Sequence, residues 1–131
     1  MTTLYPTHQC FNDAIELLDA LMGAGADPLQ LRLVHAICEA PDGHHYAHGW
    51  IEDVEDGTAM WKALLDGIAI NVCADAAEHR ASMKILESIS YEMTEVYRLN
   101  VESGHFGPWI EKYREACGGT GEWPAAEAES A

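Results

Sequence analysis

Between Leu29 and Asp53 the run "LQLRLVHAICEAPDGHHYAHGWIED" alternates in polarity, and this alternation constrains the fold more than any other feature of the chain. Leu31, Leu33, His35 and Ile37 interleave with Arg32, Val34, Ala36 and Cys38, the pattern of a strand covered on both faces. Pro41, Asp42 and Gly43 then supply turn geometry. A second strand from Tyr46 to Asp53 is therefore expected to pair back antiparallel. On it Tyr46, His48, Trp50 and Glu52 share one face, and Ala47, Gly49 and Ile51 share the other. The next segment, "TAMWKALLDGIAINVCAD", predicts another hairpin, because Asp66-Gly67 between two apolar runs is a type I′ turn signal. A helix over residues 58–65 is the competing reading of the same residues.

The flanking segments have a different period. In "CFNDAIELLDALMGAGADP" Phe11, Ile15, Leu18 and Met22 form one stripe with Ala14, Leu17 and Leu21 beside it, which predicts an amphipathic helix ended by Gly23 and Gly25. A start at Thr7, His8 or Gln9 puts Cys10 in the first turn. There the unpaired N–H groups and the positive end of the helix dipole favour a thiolate. After the strands, "DAAEHRASMKILESI" and "YEMTEVYRLNVESG" carry Met83, Leu86, Ile89, Met93, Val96, Tyr97 and Val101 at helical spacing, with a stop at Gly104. "GPWIEKYREACGG" predicts a last helix begun by Pro108. Phe106 and Trp109 are expected to pin that helix to the core, with lining of a cleft near Cys10 as the alternative. The chain reads as one α+β domain over 1–117 and a flexible acidic tail over 118–131.

Charge narrows the partners. With 22 acidic residues against seven Lys plus Arg, the formal charge is −15, which repels nucleic-acid phosphates and anionic membranes and suits a basic partner. No apolar run approaches the ~20 residues that span a bilayer. The N-terminus lacks signal-peptide regions, so a cytoplasmic location is expected. The four cysteines, at 10, 38, 73 and 117, form no CxxC pair and are expected to be thiols in that setting. Cys38 and Cys73 sit in apolar alternations and are read as small buried hydrophobes.

A helix led by cysteine, followed by a meander carrying histidine beside a small residue and tryptophan, resembles the papain-like and transglutaminase-like cysteine peptidases. "QCFNDA" and "AHGWIED" carry the resemblance directly, the second being close to the "HAWVE" type of signature, and the strand order extends it to about residue 74. The resemblance implies a Cys-bearing helix packed on a small antiparallel sheet and followed by C-terminal helices. It implies Cys10 as nucleophile and His48 as general base, acting on an amide or ester of a peptide or protein substrate. An imidazole within reach takes the thiol proton, and a third group must orient it. The family places Asp or Asn on the strand after the histidine, where "GTAMWKA" offers only Lys62, so Asn71 on a later strand is the best replacement. Gln9 is a candidate oxyanion donor, although the family's glutamine lies several residues before its cysteine. Trp50 and Trp109 are candidate substrate contacts.

A zinc shell is the rival use of the histidines. His44, His45 and His48 supply part of one, with Cys10 or Glu52 completing it. Adjacent histidines on a strand point to opposite faces, so no metal or other cofactor is expected. His35, His79 and His105 are read as solvated histidines. The other functional class is a noncatalytic acidic interaction module with the same core.

Overall fold

The computed structural model describes residues 10–105 and 107–116, together with the backbone of residues 5–6. Six strands, β1 (Tyr5–Pro6), β2 (Leu31–Glu39), β3 (His45–Asp53), β4 (Thr58–Leu65), β5 (Ile68–Asp75) and β6 (Lys84–Tyr91), form one antiparallel sheet. Its order is β6-β2-β3-β4-β5, and the short β1 pairs with β4 beyond the end of β3. Helices α1 (Cys10–Gly23), α2 (Ala76–Ala81), α3 (Met93–Ser103) and α4 (Glu111–Ala116) complete it. The fold is α+β, with an N-terminal helix, a small antiparallel sheet and further helices.

Both hairpins follow from local chemistry. β2 and β3 pair from Leu31↔Asp53 to Glu39↔His45, closed by the turn that contains Asp42 and Gly43. β4 and β5 pair from Thr58↔Asp75 to Leu65↔Ile68. Asp66 and Gly67 take φ of 52° and 81°, the double left-handed geometry of a type I′ turn. Residues 58–65 are therefore strand and not helix.

Two elements depart from expectation: α4 begins at Glu111, three residues after Pro108, and the segment before β6 is not one helix. Residues 75–89 do not form a single helix, because α2 stops at Ala81 and the chain turns into β6 at Lys84. Asp75 caps α2 by accepting from the Glu78 amide at 3.0 Å, but only six residues follow before the helix ends. The next residues satisfy their backbone groups against β2, with Tyr91 opposite Leu33 and Ile89 opposite His35. α3 behaves as its sequence predicts, ending where Gly104 takes the left-handed conformation at φ 76°.

Two cores flank the sheet. On one side α1 buries Ala14, Ile15 and Leu18 against Leu31, Leu33 and Ile51, joined by Tyr91, Met93 and Val96. On the other, Val34, Ala36, Cys38, Trp50 and Ala59 gather with Trp61, Met83 and Ile85. Successive residues of β2 and β3 contribute to opposite cores, as strand alternation requires.

Candidate functional site

Cys10 sits in the first turn of α1 and is 3% exposed, clustered with Phe11 and Ala47. Its Sγ lies 4.0 Å from the carbonyl oxygen of Ala47. The neighbouring strand position explains why the helix can come so near. A Cβ built on Gly49 would fall 2.9 Å from Cδ1 of Phe11, so the ring occupies the space that any side chain at 49 would fill. Ala47 and Gly49 thus define the α1 face of β3.

His48 necessarily points the other way. Its ring stacks on Trp50 at 5.0 Å and meets His79 of α2 edge-on at 5.5 Å. The sheet itself lies between His48 and α1. The structure therefore does not bring Cys10 and His48 together, although each stands on the element its sequence predicts. Nor does Asn71 approach His48: it is exposed on the outer strand β5, opposite Lys62 of β4. Lys62 reaches towards Asp13 of α1, at 3.9 Å, which places that pair on the α1 face.

The histidine that shares a face with α1 is His35, paired with Gly49 across β2 and β3. It is boxed by Phe11 at 4.7 Å, Tyr91 at 5.3 Å and Trp109 at 5.4 Å. Among the described residues neither ring nitrogen has a hydrogen-bond partner, and the same holds for both nitrogens of His48. Burial pushes the pKa of each down to about 3, and at His48 the proximity of His79 and His35 adds to the effect. Both are neutral imidazoles at physiological pH. Burial likewise lowers His79 to about 4, opposed by the charge of Glu52.

Beside His48 the α2 face is closed by an ion pair. Glu52 accepts from Nε and Nη2 of Arg80 at 2.8 and 3.0 Å, and also from the indole N–H of Trp50 at 2.9 Å. The Arg80 guanidinium lies 5.8 Å above the Trp50 ring, and Trp61 stacks on His79 at 3.9 Å. Trp50 is completely buried and so presents nothing to a substrate. Glu52 and Arg80 were missed as partners because they stand 28 positions apart. One signal existed, since Arg80 is the sole Lys or Arg between Lys62 and Lys84 while Glu52 shares the His48 face.

Other candidates resolve simply. Trp109 stacks in the His35 box and donates its indole N–H to the His105 carbonyl at 3.1 Å, a packing role. His44 pairs with Asp42 and exposed His45 with Glu39, so neither converges on His48. Among the described residues no group of three or more His, Cys, Asp or Glu side chains is placed to hold a metal ion. His35 and His79 are buried, not solvated, because aromatic rings close over both. Cys38 is buried, and burial lifts its thiol to about 11. Cys73 is exposed and not buried, because it lies on the outer strand. Gln9, Phe106, Cys117 and the 118–131 tail lie outside the described residues. Among the described residues no helix is long and apolar enough to cross a membrane. Comparison of the chain with protein-family models, with curated protein sequences and with solved structures finds no match.

Proposed function

We propose that the protein is a noncatalytic acidic interaction module, with a cysteine-peptidase-like arrangement of helix and sheet and no working thiol centre. The observation that carries this reading is the strand alternation of β3. Ala47 and Gly49 meet α1 whereas His48 meets α2, so the base and the thiol stand on opposite faces. A thiol hydrolase needs the imidazole within hydrogen-bond reach of the sulfur and both open to substrate. Cys10 is 3% exposed and His48 is 0% exposed. An imidazole whose protonation is this strongly disfavoured by burial does not stabilise a thiolate as an imidazolium partner.

Charge defines the partner. A formal charge of −15 on 131 residues gives a field that steers basic surfaces to the protein and deflects acidic ones. The partner class is a basic peptide or protein. An activated-ester assay tests the reading: wild type and Cys10→Ser should release the leaving group at the same rate, equal to that of buffer. Turnover by wild type that Cys10→Ser abolishes would restore the thiol acyl-transfer reading instead.

A further inference from the structure

The two outer strands of the sheet are built differently. β6 carries Lys84, ion-paired with Glu39, and Glu87, ion-paired with Lys112. Its pairing with β2 also shifts register between Ile37 and Cys38. Charges and a bulge are the ordinary means by which an edge strand discourages further pairing. β5 has neither. From Ile68 to Ala74 it contains no charged residue and no proline, and its register with β4 runs unbroken over all eight positions. Among the described residues β5 pairs with β4 alone, so one side of its backbone is available as a template. Ile68 is 67% exposed, and Asn71 and Cys73 are exposed as well.

Acidic groups stand at both ends of the uncharged stretch of β5 from Ile68 to Ala74. Asp66 is exposed in the turn before it, and exposed Asp75 closes it. Asp56 lies beside that second end, since the Ala76 amide donates to the Gly57 carbonyl at 2.8 Å, and the Glu78 amide binds Asp75.

We propose that β5 is a docking edge for an extended segment of a partner protein, uncharged in its middle and carrying Lys or Arg at its ends. This rests on the interaction-module reading and gives it a surface. Main-chain hydrogen bonds supply affinity, and the flanking carboxylates select the basic ends. A second copy of the chain is a poorer occupant. Antiparallel pairing of two β5 strands in a continuous sheet sets the acidic ends of each against those of the other, on chains of charge −15.

The test uses the full chain, isotope-labelled for NMR, and a short peptide of alternating threonine and valine with two lysines at each end. The expected result is saturable binding with amide shifts and slowed hydrogen exchange confined to residues 68–75. Combined Asn71→Lys and Cys73→Lys substitution, placing like charges against the peptide and on the edge, should weaken binding about tenfold or more. Asp75→Asn preserves a helix-capping side chain and should weaken it roughly threefold. Equal binding of a peptide with glutamate at its ends would overturn the proposal. So would shifts on another surface with β5 silent, which would leave the interaction-module reading standing. β5 amides that respond to protein concentration alone would overturn it in favour of a second copy. Failure of the underlying reading is distinguished by Cys10-dependent ester turnover.

Discussion

The two faces of the sheet bury the same group in different company. On the α1 face His35 is enclosed by Phe11, Tyr91 and Trp109 beside an aliphatic core laid down by a fourteen-residue helix. On the α2 face His48 is enclosed by Trp50 and His79 under a six-residue helix fastened through Arg80 and Glu52. Hydrophobic area closes the first face. The second, with a shorter cover, depends on aromatic stacking and one partly buried ion pair. Histidines on adjacent strands can thus be equally buried and yet have no route to each other, because the sheet stands between them.

The largest effect expected from breaking this contrast is at Trp50. Trp50→Ala should cost about 3–5 kcal/mol in denaturant unfolding, since the ring is wholly buried and supports His48, Glu52 and Arg80 together. A loss below about 1 kcal/mol would mean that the α2 face is not a core.

Acid should act on both faces. His35 and His48 are each lowered to about 3, whereas an unfolded histidine titrates near 6.5, so the unfolded chain binds more protons in between. Their contribution is fully present above pH ~6.5 and is lost as pH falls towards their folded pKa values, at about 1.4 kcal/mol per pH unit for each. His48→Leu should flatten the stability slope between pH 6.5 and 4 by one proton's worth, and its NMR titration in wild type should show no midpoint above pH ~5. An imidazole midpoint near 6.5 would show that the ring is solvated.

A smaller loss is expected at the ion pair. Glu52→Gln keeps one acceptor for Trp50 or Arg80 but leaves the guanidinium without its counter-charge, for roughly 1–3 kcal/mol. Because Arg80 is part-exposed, solvent offsets some of that cost. Hydrogen exchange should then accelerate in α2 and leave α1 unchanged. Equal acceleration in both helices would show that the two faces open as one unit.

Much of this fold is legible in the sequence, because its hairpins and α1 are local. Asp66-Gly67 specifies its turn, and the faces of β3 follow from alternation alone. β6 is not legible in the same way. Met83, Leu86 and Ile89 fit a helix, while Glu87, Ile89 and Tyr91 alternate as a strand does and Ile85 falls on the other face through the register shift. What decides is the open edge of β2, a partner some fifty residues away in sequence.

The arrangement around Cys10 and His48 is less legible for a related reason. Alternation states that His48 and Trp50 share a face, but not which face α1 covers. Gly49 was the available signal: a glycine inside a strand marks a close approach, here by Phe11, and so assigns the helix to the face away from His48. The burial of His35 and His79 had no comparable local sign, since the rings that enclose them come from four different elements and the segment before α4.

Thiol labelling tests whether Cys10 is sealed between α1 and β3 and separated from His48. The protein is exposed to iodoacetamide at neutral pH and the rate at each cysteine is read by peptide mass spectrometry. Cys73 should label faster than Cys38 and Cys10, with Cys10 about a hundredfold slower than Cys73 and accelerating only with denaturant as the fold opens. Labelling of Cys10 faster than Cys73 in the folded protein, slowed by His48→Ala while the fold remains intact, would instead put the thiol and the imidazole on one face.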